Sequence, residues 1–164
     1  MSPLQQQIVL EARQSVGVLE VGHNDGPEVR EWLRRVGRRP GNPWCAAFAW
    51  CKLDDACSAL GLSNPVPETA GVHLLATRAR ARGALVYSPG VGFLCFHDSG
   101  HSAEGAHLGH CGVVVEVGDD GRVRTVEGNT NEAGSREGDC VAEKWRRADY
   151  WGLGYLDPTR LFSP

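Results

Sequence analysis

The sequence lacks several features that would place it in a familiar class of protein. No stretch is apolar for long enough to span a bilayer, so we expect no insertion into a membrane. Residues 1–10 contain no basic residue followed by an apolar run, so we expect no secretory signal peptide and synthesis in the cytoplasm. Positive charge is not in excess, because 20 Asp and Glu outnumber 17 Lys and Arg and leave a formal net charge of −3. This balance disfavours nucleic acid as a partner.

The cysteine pattern excludes two further classes. None of the six cysteines forms a CxxC pair and no HExxH motif occurs, so the common zinc-binding patterns are absent. Without a secretory signal, we expect no disulfide framework. Most of the cysteines are therefore interpreted as small buried apolar side chains. They are Cys45, Cys51, Cys57, Cys95, Cys111 and Cys140.

The order of the hydrophobic patterns predicts the fold class. With 164 residues and no internal repeat, the chain fits one domain over residues 1–164. Apolar residues recur at helical spacing in the first half, and alternating or short apolar runs follow after Gly83. Helices first and strands second indicate an α+β fold, in which N-terminal helices pack on a C-terminal antiparallel sheet.

Capping residues and breakers bound the predicted elements. A first helix carries an apolar stripe over Leu4–Leu19, and a second begins at Pro27. A third runs from about Pro43 to Leu60 with Asn42 as its cap, and a fourth covers Glu68–Arg82. The predicted strands are Ala84–Tyr87, Val91–Phe96, Cys111–Val117, Val123–Glu127, Val141–Trp145 and Gly152–Leu156, and the longest expected surface loop is Ser99–Gly109.

Cys45 differs from the other cysteines in its position. With Asn42 as the cap, Cys45 falls in the first turn of the third helix. Free backbone N–H groups and the positive end of the helix dipole stabilise a thiolate there, and the same N–H groups can hold an oxyanion. These features predict a nucleophile at Cys45. The alternative is a buried cysteine in an apolar helix, which is how we interpret Cys51 and Cys57.

A hairpin in the second half places a histidine beside two polar side chains. We expect Val117 to pair with Arg122 across a tight turn. Followed back from the turn, this register sets His110 opposite Asn129, with Glu127 on the same face. A histidine base needs a polar partner on one ring nitrogen and the thiol on the other. The alternative is a hairpin end that carries ordinary polar residues.

Three short segments carry a resemblance to a known family. They are Pro43–Phe48 (PWCAAF), Gly109–Val114 (GHCGVV) and Val126–Asn131 (VEGNTN), in this order. The chain resembles the CHAP domain, a cysteine- and histidine-dependent amidohydrolase/peptidase of the papain-like NlpC class, over roughly residues 20–156. Gly134–Asp139 is similar to the stretch that follows the EGN element in small phage and bacterial members.

The resemblance implies a papain-like fold and a role for each residue of the site. Cys45 would be the nucleophile, His110 its base and Glu127 the residue that orients the histidine. Asn129 would be an additional polar member. The implied substrate is peptidoglycan, cleaved either at the amide between sugar and stem peptide, as by an N-acetylmuramoyl-L-alanine amidase, or within the peptide, as by an endopeptidase. No cofactor is implied.

The chain also departs from some members of that family. Some phage members have a calcium site of clustered aspartates before the nucleophile, whereas Arg38–Pro43 contains no carboxylate, so we expect no metal. We also expect no separate wall-binding domain. A wall hydrolase without a signal peptide needs an exit route to the periplasm or the outside. A phage-type lysis enzyme and a delivered antibacterial effector with an immunity protein as its partner both fit.

The sequence is also compatible with two other functions. A metal-dependent hydrolase would use the four histidines His97, His101, His107 and His110, although their irregular spacing in a Gly-rich loop matches no metal-binding motif. A catalytically silent domain would bind wall fragments or a partner protein. It is disfavoured because every predicted catalytic position carries a competent residue.

Overall fold

The computed structural model describes residues 1–131 and 138–162. In this part of the chain the helices come first and the strands follow, as an α+β fold. The helices are α1 (Pro3–Gln14), α2 (Pro27–Arg35), α3 (Cys45–Ala59) and α4 (Val72–Ala81). The strands are β1 (Leu85–Val86), β2 (Leu94–His101), β3 (His107–Val117), β4 (Arg122–Thr130), β5 (Cys140–Arg147) and β6 (Gly154–Leu156). Short 3-10 helices cover Ala148–Tyr150 and Pro158–Phe162.

The strands form one antiparallel sheet, in agreement with the predicted fold class. Their order across the sheet is β1-β6-β2-β3-β4-β5. Helices α1, α3 and α4 pack against one face, where the main hydrophobic core lies. A smaller cluster that includes Trp151 and Tyr155 covers the other face. None of the helices in residues 1–131 and 138–162 is long and apolar enough to cross a membrane.

Helix α3 is the central element of the helical layer. Its sequence, CAAFAWCKLDDACSA, is dominated by small and apolar residues, and most of its first half is buried. Even Lys52 is 5% exposed, with its ammonium 3.4 Å from a carboxylate oxygen of Asp55 and over the ring of Trp32. A helix that is apolar on nearly all sides is expected to be buried on nearly all sides, which fixes α3 firmly against the sheet.

Several predicted bounds are wrong in detail. Helix α1 ends at Gln14, and Val16 and Leu19, assigned to its apolar stripe, are exposed beyond it. Helix α3 begins two residues later than predicted, with Trp44 rather than Asn42 at its cap position. The side chain of Asn42 instead donates a hydrogen bond to the carbonyl of Arg39. Helix α4 begins at Val72 and not at Glu68.

The Gly- and His-rich stretch Ser99–Gly109 is not a long loop. Strand β2 continues to His101 and strand β3 starts at His107, so the two strands form a long hairpin. The register shifts between Asp98 and Gly100, which takes up one residue of β2. These residues pair as strands although their sequence is rich in glycine and histidine and lacks the alternating apolar pattern by which strands were predicted.

The β3–β4 hairpin has the predicted register near the site but not near the turn. Val117 pairs with Val123 rather than with Arg122. A bulge between Val114 and Glu116 then removes one residue from the pairing, so that Val114 pairs with Thr125, as expected from the sequence. Two compensating irregularities thus leave the far end of the hairpin in the predicted alignment.

Candidate active site

Cys45 lies at the start of α3, at the bottom of a surface cleft. It is the first residue of the helix and is 5% exposed. Its Sγ atom lies 4.0 Å from the carbonyl oxygen of Gly109 on β3. No side chain in the described ranges 1–131 and 138–162 caps the helix, so the N–H groups of the first turn are available to a bound group. This position suits a thiolate and a developing oxyanion alike.

The pKa of the Cys45 thiol is held well below its ordinary value. The largest cause is a hydrogen bond from the Cys111 thiol, and burial opposes it; a hydrogen bond and charge from His110 and the N–H of Ala46 lower the pKa further. The pKa of Cys111 is raised well above its usual range, first by burial and then by Cys45. Cys45 is therefore the thiolate of this pair, and Cys111 keeps its proton.

His110 on β3 is fully buried between two partners. Its Nε2 atom donates a hydrogen bond to Oε2 of Glu127 over 2.8 Å. Its buried Nδ1 atom has no partner of regular geometry within the described residues, which leaves Nδ1 for the Cys45 thiol. Burial alone would lower the pKa of His110, but hydrogen bonds to Cys45 and Glu127 outweigh it and raise the pKa to about 9. The ring also stacks on Trp151, with centroids 6.2 Å apart.

Glu127 on β4 is a fully buried carboxylate with three side-chain donors. His110 donates to its Oε2 atom, and Thr125 donates to Oε1 over 2.6 Å. Arg146 donates to both oxygens, and each of these two bonds is 2.6 Å long. Burial alone would raise the pKa of Glu127, but Arg146 and His110 lower it to about 2. Glu127 therefore stays ionised and can stabilise a protonated His110.

The structure brings together Cys45, His110 and Glu127, whereas no hydrogen bond among the described residues joins the Asn129 side chain to them. Asn129 has a positive φ of 55° at an irregularity where the β4–β5 register shifts. It lines a separate cavity of about 230 Å³ with Glu20 and Asp139, and its buried Oδ1 has no hydrogen-bond partner in the described chain. The regular alternation of side chains along β4 ends at Glu127, so the rule that puts residues two apart on the same face does not apply to Asn129.

Three residues of this site were missed at the level of sequence. Cys111 was assigned to the group of ordinary buried cysteines, and Arg146 lies one residue past the predicted end of its strand. Arg146 pairs with Val123, on the same face of the sheet as Glu127, and its long side chain spans the distance between them. Thr125 shares that face. Only the pairing of β5 with β4 reveals Arg146, and the intervening segment hides that register from the sequence.

The cleft beside Cys45 has a volume of about 400 Å³. It is bounded by the connection from α2 to α3, by the start of α4 and by the start of β3. The lining residues are Arg38, Asn42, Pro43, Cys45, Ala70, Gly71, Val72, Ala106, His107, Leu108 and Gly109. A cleft of this size has room for a short segment of peptide.

The four histidines considered for a metal site do not converge. His97 stacks on Tyr150 and binds its carbonyl oxygen through Nδ1, whereas His110 lies buried in the Cys45 site. His101 and His107 lie together on the surface, next to His73. Across residues 1–131 and 138–162, no group of three or more His, Cys, Asp or Glu side chains is arranged to hold a metal ion. The metal-dependent alternative therefore has no support in this part of the chain.

Comparison with known proteins identifies the family. No curated protein and no solved structure matches the chain at a significant level. The family model of the CHAP domain matches residues 37–129, a segment that contains Cys45, His110 and Glu127. The similarity noted for Gly134–Asp139 falls largely outside the described residues. The match covers more than half of the 164 residues, and the chain therefore belongs to the CHAP domain family, which implies a hydrolase with amidase or peptidase activity.

Proposed function

We propose that the protein is a peptidoglycan hydrolase that cuts an amide bond with Cys45, His110 and Glu127. The observation that carries the proposal is the buried His110–Glu127 hydrogen bond of 2.8 Å, combined with a Cys45 thiol whose pKa is depressed beside His110. Acyl transfer requires a nucleophile that contacts a base, and a base that is held in turn by an orienting group. Membership of the CHAP family supports peptidoglycan as the substrate.

The first half of the reaction forms an acyl-enzyme. The Cys45 thiolate attacks the carbonyl carbon of the amide, and the oxygen becomes an oxyanion. Backbone N–H groups in the first turn of α3 stabilise that charge, since none of the described side chains caps the helix. His110 carries the proton that came from Cys45 and transfers it to the leaving nitrogen as the C–N bond breaks.

The second half releases the product. His110, now neutral, accepts a proton from water, which attacks the thioester carbonyl. The C–S bond then breaks, the carboxylic acid product leaves, and Cys45 returns to the thiolate beside a protonated His110. Glu127 stays ionised throughout because Arg146 and Thr125 hold it with short hydrogen bonds.

Replacement of the nucleophile tests this proposal. Cys45→Ala should abolish hydrolysis of purified peptidoglycan, because Cys45 supplies the sulfur of the thioester, and its circular dichroism should remain that of the parent. Cys51→Ala, a fully buried cysteine six residues along the same helix, should keep activity while losing some stability. Hydrolysis at the parental rate in the Cys45→Ala protein would refute the assignment.

Mass spectrometry of the digest would identify the bond. An amidase releases intact stem peptides from the sugar, and an endopeptidase releases shortened stems or separated cross-bridges. Free reducing sugar ends with intact stems would contradict both, because glycosidases usually use a pair of carboxylates that flank the bond. Such a result would leave the depressed pKa of Cys45 without a role.

The biological setting belongs to the same proposal. We favour synthesis inside the cell and action on the wall after release or delivery, either as a phage-type lysis enzyme or as an antibacterial effector with an immunity protein. Neighbouring genes discriminate between the two settings. Lysis and tail genes would indicate the first, and an adjacent immunity gene would indicate the second.

A further inference from the structure

The cleft beside Cys45 is lined by small side chains close to the nucleophile. Ala70, Gly71 and Gly109 lie on its walls. The wall at Gly109 is tightly closed, since a Cβ atom added there would lie 2.9 Å from Cβ of Val72. Gly109 therefore packs directly against the start of α4, and the small side chains at Ala70 and Gly71 leave the cleft open beside the nucleophile.

The charge of the cleft is of one sign. Arg38 is the permanently charged residue among the described lining residues, and none of those lining residues is a carboxylate. Arg38 forms no ion pair with any residue in the ranges 1–131 and 138–162. By contrast, Arg35, at the end of α2, is bound by both Asp54 and Asp55. An unpaired guanidinium at the mouth of a cleft is suited to bind a carboxylate.

The opposite rim carries three histidines and one carboxylate that neighbouring groups already bind. His107 lines it, and its ring contacts the rings of His73 and His101. The carboxylate on this rim, Asp98, is already held by His73 at 3.3 Å and by the N–H of Gly100 at 2.8 Å. An anionic substrate therefore meets a guanidinium on one side and imidazoles on the other.

We infer that Arg38 forms a carboxylate-binding subsite of the catalytic cleft, and that the substrate carries a free carboxylate near the scissile amide. This inference rests on the proposed function, because it assigns to that reaction a class of substrate. Stem peptides in which the carboxylate is free are bound, and stem peptides in which it is converted to a carboxamide are bound more weakly. Arg38 is then a specificity-determining residue.

Binding to an inactive protein tests the subsite without requiring turnover. Two synthetic stem-peptide fragments that differ only in a free carboxylate or a carboxamide at one position are titrated into the Cys45→Ala protein by calorimetry. The acid should bind about tenfold more tightly than the amide, the ratio expected for one charge-assisted hydrogen bond. Adding Arg38→Gln should make the two affinities equal. Adding Arg39→Gln instead, at a neighbour that does not line the cleft, should preserve the preference.

The outcomes separate this inference from the proposed function. Equal affinities for the two fragments in the Cys45→Ala protein, no binding of either, or an unchanged preference after Arg38→Gln would each overturn the subsite. Hydrolysis of peptidoglycan by the unmodified protein is measured in parallel. If the protein does not hydrolyse peptidoglycan but still binds the acid fragment more tightly than the amide, the proposed reaction is refuted and the subsite is not. If it hydrolyses peptidoglycan but binds both fragments equally, the subsite is refuted and the reaction is not.

Discussion

At the scale of single residues, the titration of Cys45 and His110 sets the pH range of the proposed reaction. The thiolate forms well below the ordinary cysteine pKa, and His110 holds its proton up to about pH 9. Turnover should therefore be level around neutral pH and fall as pH rises through about 9, because His110 then lacks the proton for the leaving nitrogen. Rates measured against pH test this. A rate that keeps rising above pH 9, as for an unperturbed thiol, would contradict it.

Glu127 and Asn129 can be compared directly by substitution. Glu127→Gln keeps a hydrogen-bond acceptor for His110 but removes the charge that stabilises the imidazolium, so turnover should fall by about 10²-fold or more. The loss of charge lowers the pKa of His110, and the alkaline limb of the pH profile should move below pH 9. Asn129→Ala should reduce turnover less, because His110 bonds to Glu127 and not to Asn129 within the described residues. The reverse order in kcat would assign the orienting role to the amide.

Arg146 acts on the reaction through Glu127 and is a positioning residue. Arg146→Gln removes both short hydrogen bonds to a buried carboxylate and should destabilise the fold by about 3 kcal/mol. The pKa of Glu127 should rise from about 2, so activity should disappear at a higher pH on the acid side. Arg147→Gln is the matched control, since the Arg147–Asp149 pair is exposed on the same strand. An unchanged acid limb in Arg146→Gln would contradict the positioning role.

At the scale of secondary-structure elements, Gly128 decides how closely α3 approaches β4. A Cβ atom at this position would lie 2.6 Å from Cζ3 of Trp44 and 2.8 Å from Cγ of Phe48. Gly128→Ala should therefore push the start of α3 away from the sheet and lower the free energy of unfolding by about 1–3 kcal/mol. Activity should fall with it, because Cys45 lies next to Trp44. Chemical denaturation and turnover measure the two effects.

Gly152→Ala provides the control for that substitution. The atom closest to an added Cβ there, the carbonyl oxygen of Asp149, is 4.0 Å away, so the methyl group has room. The control should unfold close to the parent midpoint and keep its activity. Equal losses of stability in both alanine variants would show that the close approach of α3 does not account for the effect of Gly128→Ala.

The elements that follow from local signals were predicted well. Helix α2 begins at Pro27 as expected, because proline suits the first helical position. The sheet order could not be predicted, and neither could the contact of Arg146 with Glu127, since both depend on which strands become neighbours. The nucleophile's helix start was predicted two residues early because Asn42 is a good cap by type, although its side chain bonds elsewhere.

The His110–Glu127 contact was predicted from the hairpin, but the starting register was wrong. Val117 pairs with Val123, and the bulge at Val115 restores the expected alignment. A bulge leaves no clear signature in an all-valine run, so the sequence alone predicts neither irregularity. Gly112 lies close beside Glu127, as the predicted alignment requires, since a Cβ atom on Gly112 would lie 2.9 Å from Cγ of Glu127.

At the scale of the whole molecule, the helical half supplies the nucleophile and the sheet supplies its base and orienting groups. The proposed reaction needs Cys45, His110 and Glu127 but no metal ion. Activity should therefore survive treatment with a chelator, measured on purified peptidoglycan before and after dialysis. Reversible loss that zinc or calcium restores would contradict this prediction. It would direct attention to the surface histidines His73, His101 and His107.

The stack of Trp151 on His110 gives the molecule an internal optical probe. The two rings lie with centroids 6.2 Å apart and planes 22° apart, and Trp151 is almost completely buried. Protonated imidazole quenches indole fluorescence by electron transfer, whereas the neutral ring quenches weakly. The share of the emission that Trp151 contributes among the five tryptophans should therefore rise as His110 loses its proton, so that total tryptophan emission reports the charge state of the base without any added label.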